Sequence, residues 1–219
     1  MKELIFFDLD GTLIDPKKRY CAIYKQLCNE LKIKALKCDI YWEMKRNKVS
    51  EYEIFQKTNP ELNDISNILK KRILMLEDDT FLKLDILHHN AVDFLELIYK
   101  KYTLVMVTFR RNRPNLESQL KRLGIIQYFD KILSLAPSLE IKYMNKVNII
   151  LDNYNILEGF YFGDTEVDLL AGRYLKIKTV SFNFGIRHEK YLNKCEPNFS
   201  IDSWDYNIWG KELFNSFNK

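Results

Sequence analysis

The stretch Leu4-Ile5-Phe6-Phe7-Asp8-Leu9-Asp10-Gly11-Thr12 runs four apolar residues directly into two carboxylates and a glycine. A short continuous apolar run reads as a strand buried on both faces, the pattern of a parallel sheet. Gly11 lets the chain turn sharply after the second carboxylate. Asp8 and Asp10, one residue apart at a strand end, are a costly pair, because like charges in a partly buried loop raise each other's pKa. A divalent cation removes that cost. Hard oxygen donors with no His or Cys among them point to Mg²⁺.

Four more apolar runs extend the pattern: Leu104 to Val107 before Thr108, the weaker Ile132 to Leu135, Phe160 to Phe162 before Gly163 and Asp164, and Ile177 to Phe182. Amphipathic stripes lie between them. Val92, Leu95, Ile98 and Tyr102 form one; Leu116, Leu120 and Leu123 form another, opened by Pro114 and closed by Gly124. Ile149, Ile150 and Tyr154 give a third, and Leu169, Leu170 and Tyr174 a fourth. Strands alternating with helices predict an α/β fold, a doubly wound parallel sheet.

From Asp15 to about Asp85 the alternation stops and the spacing is helical throughout. Ile23, Leu27 and Leu31 recur at helical intervals, Ser50 and Glu53 match a capping box, and Ile65, Ile68, Leu69, Ile73 and Leu76 form a long stripe. The expected organisation is a core made of residues 1–14 and 86–219, with a helical cap domain of residues 15–85 inserted after the first strand.

Composition narrows the function classes. Among 219 residues, 34 Lys and Arg face 30 Asp and Glu, a net charge of only +4, so no clustered basic surface for nucleic acid is expected. Seven Gly and five Pro leave little room for flexible linkers. No apolar run is long enough to span a membrane, and carboxylates interrupt the N-terminus before a signal-peptide apolar region forms. Cys21, Cys28, Cys38 and Cys195 lack metal-ligand spacing, and Cys21 and Cys28 share a helix face as small buried side chains. The expectation is a soluble, cytoplasmic protein with reduced thiols. The sequence sets no expectation of oligomeric state.

A second acidic loop, Gly163-Asp164-Thr165-Glu166-Val167-Asp168, follows the Phe160 to Phe162 strand and enters a helix. Asp164 can meet Asp8 if the two strands are neighbours ending at the same sheet edge, which in a doubly wound sheet is the switch point where ligands bind. Asp168, one turn on, can sit above Asp164; the competing reading is a carboxylate serving the helix dipole.

Together, D-x-D-G-T at Asp8 to Thr12 and G-D-x-x-x-D at Gly163 to Asp168 resemble the haloacid dehalogenase superfamily of aspartyl phosphatases, in particular its phosphoglycolate phosphatase-like members with a helical cap. The resemblance covers nearly the whole chain, although the insert matches in placement and helical character alone. It implies a Mg²⁺-dependent phosphatase acting on a small phosphorylated metabolite. Asp8 would be the nucleophile, Asp10 the general acid and base, and Mg²⁺ would be held by Asp8, Asp164, the carbonyl of Asp10 and Asp168. Thr108 would hydrogen-bond a phosphoryl oxygen, although an ordinary helix cap is the simpler reading of that residue alone. Phe109 stands where the family often has Asn or Ser. Arg110 would contact an anionic substrate.

The family also needs a lysine near the transferring group, and Lys142 is favoured over Lys146 by its spacing of about 22 residues ahead of the motif aspartate. Lys17, Lys18 and Arg19 read as a solvated helix start, and Gly185 as a structural loop residue. A phosphomutase on the same fold and a non-catalytic binding or regulatory module are the alternatives.

Overall fold

The computed structural model describes residues 3–61, 64–136, 141–155 and 158–217. In chain order the elements are β1 Leu4–Phe7, β2 Ile14–Asp15, α1 Lys17–Glu30, α2 Cys38–Arg46, α3 Glu51–Thr58, α4 Ser66–Met75, α5 Asp79–Leu82, β3 Ile86–Leu87, α6 Ala91–Ile98 and β4 Thr103–Phe109. Then follow α7 Arg113–Arg122, β5 Lys131–Leu135, α8 Lys142–Leu151, β6 Gly159–Gly163, α9 Glu166–Tyr174, β7 Lys178–Phe182, α10 Glu189–Leu192, β8 Phe199–Ile201 and α11 Tyr206–Phe217.

Six strands form one sheet in the order β5-β4-β1-β6-β7-β8, every pair parallel. The apolar runs build it because alternate residues feed two different cores. Ile5, Phe7, Leu104, Met106, Phe160 and Phe162 face one side, where α6 and α7 supply Phe94, Leu95, Leu116 and Leu120. Phe6, Val105, Val107 and Tyr161 face the other, against Val147 and Ile150 of α8 and Ala171 of α9. A strand buried on both faces needs apolar residues throughout, hence the unbroken runs. The sixth strand, β8, escapes that reading because Phe199-Ser200-Ile201 alternates, with Ser200 exposed.

All five helices between β2 and β3 belong to the insert, and α1 to α4 close around Ile23, Tyr24, Leu27, Tyr41, Ile54, Phe55, Ile65 and Met75. Ser50 and Glu53 make the capping box that starts α3. The insert leaves and rejoins the core through a two-stranded antiparallel ribbon, Ile14 opposite Leu87 and Asp15 opposite Ile86. The end of α2 rests on the core: Arg46 donates to the carbonyl of Asn183, Arg187 to that of Lys45, and Lys48 pairs with Glu166 at 2.7 Å. The fold is therefore the α/β doubly wound sheet with a helical cap inserted after the first strand. Among the described residues no helix is long and apolar enough to cross a membrane.

The cysteines depart from expectation. Cys21 is disulfide-bonded to Cys38, joining α1 to the first residue of α2, while Cys28 and Cys195 are free and buried. Helical spacing places Cys21 and Cys28 one above the other along α1. It says nothing of Cys38, which the Ile33 to Lys37 turn folds back beside Cys21.

Candidate active site

Parallel pairing sets the site. Phe7 lies opposite Met106 on β4 and Phe162 on β6, so all three strands end at one rim. The Asp8 amide continues the ladder by donating to the Phe162 carbonyl at 2.9 Å. Asp8 at the end of β1, Asp164 after β6 and Asp168 in the first turn of α9 each bring one carboxylate oxygen within 4.8 Å of the others, and all three are buried. Thr108, 1% exposed near the end of β4, faces the same edge at the neighbouring strand.

Asp164 is held through both of its oxygens. Thr12 Oγ1 donates to its Oδ1 at 3.1 Å and the Ile186 amide to its Oδ2 at 2.5 Å. The glycines leave it room: a Cβ at Gly11, whose φ of +87° already demands glycine, would stand 2.0 Å from Asp164 Oδ2, and one at Gly185 2.4 Å from the same atom. Gly185 thus shapes the acidic site directly, beyond the loop role its sequence suggests. Asp168 receives the Thr165 amide and hydroxyl through its Oδ2 at 3.2 and 2.7 Å, so it caps α9 as well as joining the cluster.

The cation at this centre is Lys146, which corrects the preference for Lys142. Lys146 Nζ donates to Asp8 Oδ1 at 2.7 Å and to Asp168 Oδ1 at 2.6 Å, with 2% of the side chain exposed. Both lysines lie in α8, and Lys142 is its first residue, one turn too early to reach the rim. The 22-residue spacing holds, but it connects Lys146 to Asp168 rather than Lys142 to Asp164. Burial alone would lower the pKa of Lys146; Asp168 and Asp8 hold it well above the ordinary lysine value. The ammonium also lies 5.3 Å from the centre of the Phe109 ring, so the residue that departs from the family pattern walls the lysine.

Three buried carboxylates gather around one ammonium, which bonds Asp8 and Asp168 but not Asp164, and this leaves a deficit of positive charge. Burial pushes Asp8 up to about 7 despite Lys146, and burial together with Asp8 and Asp168 pushes Asp164 well above the usual range. An all-oxygen donor set with two uncompensated negative charges suits a divalent hard cation.

Asp10 points elsewhere. Its Oδ1 accepts from Arg110 Nη2 at 2.7 Å and from Arg19 Nη2. Although burial works the other way, the guanidiniums of Arg110 and Arg19 hold the Asp10 carboxyl below its ordinary value. Arg19 is 1% exposed, not a solvated residue: its Nε lies 3.2 Å from Asp85 Oδ1 and its Nη1 donates to the Leu76 carbonyl at 2.8 Å. Lys17 and Arg19 diverge because Pro16 starts α1 with Arg19 turned toward the core, while Lys17 pairs outside with Asp39. Beside Asp10, Arg19, Arg110, Arg111, Lys142 and Phe109 line a cavity of about 250 Å³ between cap and core.

Sequence reasoning missed Arg19, Thr12 and the Asp164 contact of Gly185, and chose the wrong lysine. Thr12 meets Asp164 across 152 positions of chain and Lys146 meets Asp8 across 138; Gly185 reaches Asp164 only because the loops after β6 and β7 come together, and for Arg19 with Asp10 the helix phase decides.

Residues 5–182 match the haloacid dehalogenase-like hydrolase family. The phosphoglycolate phosphatases of Vibrio vulnificus strains YJ016 and CMCP6 are each 26% identical over 92% of this chain and 92% of their own length. A haloacid dehalogenase-like hydrolase from Streptococcus pneumoniae shares the fold with a TM-score of 0.73 and 20% identity, over 99% of this chain and 98% of that one.

Proposed function

Since the chain belongs to the haloacid dehalogenase-like hydrolase family, we propose that it is a Mg²⁺-dependent phosphatase of small phosphorylated metabolites, working through an aspartyl-phosphate on Asp8. One observation carries this reading: the buried carboxylate of Asp8 lies beside Asp164 and Asp168 with Lys146 bonded to it, at the rim where β1, β4 and β6 end. Relatives that bear the name phosphoglycolate phosphatase support the same class of reaction.

A carboxylate is a weak nucleophile, so the site must hold the phosphoryl group in line and neutralise its charge. Asp8, Asp164, Asp168 and the Asp10 carbonyl would hold Mg²⁺, which supplies that neutralisation when bound. An Asp8 oxygen attacks phosphorus, and the ester oxygen leaves with a proton from Asp10, which has first to take one up against the guanidiniums of Arg110 and Arg19. Water then attacks the aspartyl-phosphate as Asp10 takes a proton from it, which releases inorganic phosphate and restores Asp8. Lys146 balances the charge that accumulates on the phosphoryl oxygens, and the buried Thr108 hydroxyl donates to one of them. The insert of residues 15–85 acts as the cap over this site.

Turnover of p-nitrophenyl phosphate with Mg²⁺ tests the reading. The unmodified protein releases nitrophenol, and Asp8→Asn lowers kcat by about a thousandfold or more while circular dichroism is unchanged. Full activity in Asp8→Asn would overturn the nucleophile assignment. Incubation with a hexose phosphate separates the alternative: release of inorganic phosphate fits the hydrolase, and migration of the group to another hydroxyl fits a mutase.

A further inference from the structure

Arg46, the last residue of α2, grips both ends of one core loop. Its Nη2 donates to the carbonyl of Asn183, the first residue after β7, and its own carbonyl accepts from the amide of His188, the last residue before α10, at 3.1 Å. Between those two points lie Gly185 and Ile186. The Ile186 amide donates to Asp164 Oδ2 at 2.5 Å, and Gly185 leaves the space that the Asp164 carboxylate fills. The residues beside Arg46 reach the same region. The Lys45 carbonyl accepts from Arg187 Nη1 at 3.2 Å, and the Asn47 carbonyl from the Tyr191 hydroxyl at 3.0 Å. Glu166, which stands between Asp164 and Asp168 in the acidic loop, pairs with Lys48 at 2.7 Å and with Arg187 at 2.9 Å.

The end of α2 is therefore tied to both chain segments that fix Asp164: the acidic loop that carries it and the loop whose amide holds it. The second of these has its near end anchored in the sheet, since the Asn183 amide donates to the Ile201 carbonyl of β8 at 2.9 Å. Its far end, Arg187 and His188, is held by the carbonyls of Lys45 and Arg46. A short irregular loop keeps an amide aimed at a carboxylate only as firmly as its ends are fixed, because it has no ladder of its own. The support of a metal ligand matters nearly as much as the ligand. We infer that Arg46 is a positioning residue for the cation site: by seating α2 on residues 183–188 it holds the Ile186 amide on Asp164 and so raises the affinity for Mg²⁺. The inference rests on the reading of Asp8, Asp164 and Asp168 as a Mg²⁺ site. Charge alone predicts the opposite, since removing a nearby cation lowers the repulsion that Mg²⁺ meets.

Calorimetric titration of the substrate-free protein with Mg²⁺ tests it. Arg46→Met raises the Mg²⁺ Kd about tenfold, the lower end of what the loss of an outer support costs. Arg46→Lys, which keeps a donor for the Asn183 carbonyl, recovers part of that loss. Ile54→Val, in the apolar interior of the cap, lowers the melting temperature without metal but leaves the Kd unchanged. In hydrogen exchange, residues 183–188 exchange faster in Arg46→Met than in the unmodified protein, and at the unmodified rate in Ile54→Val. A Kd in Arg46→Met that is unchanged or tighter overturns the inference. An equal loss in Ile54→Val overturns it too, since the effect would then be one of cap stability alone. Failure of the unmodified protein to bind Mg²⁺ overturns it together with the cation site. Turnover is read separately: absence of p-nitrophenyl phosphate hydrolysis with the Kd pattern intact removes the phosphatase reading and leaves the role of Arg46 standing.

Discussion

Lys146 Nζ sits 2.7 Å from Asp8 Oδ1 and 2.6 Å from Asp168 Oδ1, so one ammonium ties the proposed nucleophile to the first turn of α9. Removing it strands two buried carboxylates. Lys146→Met is expected to destabilise the ion-free protein by about 3–5 kcal/mol, the cost of breaking a buried pair, and to lower kcat by about a thousandfold. Lys142→Met, at the cavity wall, changes stability by less than about 0.5 kcal/mol. Urea unfolding and steady-state kinetics on the two variants settle which lysine serves the site. Equal losses would mean that the bridge to Asp8 has no special role.

Gly185 offers a probe of Asp164 that changes none of the carboxylate residues themselves. A Cβ there would stand 2.4 Å from Asp164 Oδ2, so Gly185→Ala must push the carboxylate aside. Mg²⁺ affinity falls about 10- to 100-fold, as when an outer support of a metal ligand is lost. Gly124→Ala is the control: its Cβ meets nothing within 4 Å, and the strain of its φ of +69° lowers stability without touching the acidic rim. Mg²⁺ titrations of turnover compare the two.

The same carboxylates fix a pH dependence. Burial pushes Asp8 and Asp85 up to about 7, whereas an aspartate in the unfolded chain titrates near 4, about its reference value. Between those limits the folded protein binds more protons than the unfolded chain, so these two groups make stability fall as pH rises from about 4 to 7, with no further change above. Mg²⁺ requires ionised carboxylates, so protons compete with it. Its stabilising effect therefore grows as pH rises through 7. Melting temperatures at pH 5.5 and 8 are expected to differ little with Mg²⁺ at the lower value and clearly at the higher. A Mg²⁺ shift that is larger at pH 5.5 would contradict the carboxylate site.

How far these features could be read in advance follows from locality. Phe6 and Phe7 announce a doubly covered strand because burial on both faces favours apolar residues throughout, and the same holds for β6 and for Leu104 to Val107 of β4, whereas β7 also buries Thr179 and Ser181. Asp8 and Asp164 could be joined because parallel register puts equivalent strand ends at one rim. Lys146 could not, since choosing it over Lys142 requires knowing where α8 begins, and one helical turn moves a lysine nitrogen from the cavity wall to the acidic cluster. Arg19 illustrates the other limit. Three consecutive basic residues look alike in sequence, and only packing of α1 against the core turns Arg19 inward while Lys17, 34% exposed, reaches out to Asp39.

The Cys21–Cys38 bond has a direct chemical readout. Cys21 lies two residues beyond Arg19 on α1, and the bond pins α2 to that helix across 17 positions of chain. Denatured without reductant, the protein should expose two alkylatable thiols, Cys28 and Cys195, and four after reduction. Closing a loop of that length contributes on the order of 3 kcal/mol by restricting the unfolded chain. Reduction, or Cys38→Ser, therefore lowers the melting temperature. The effect is centred on the cap, because the sheet and its two apolar faces contain neither cysteine. Mass spectrometry after alkylation counts the thiols, and four modified cysteines before reduction would show the pairing to be absent in solution. Hydrogen exchange then locates the loosening: faster exchange confined to α1 and α2 on reduction fits a bond that braces the cap, whereas equal loosening of β1 and β4 would place its influence in the core.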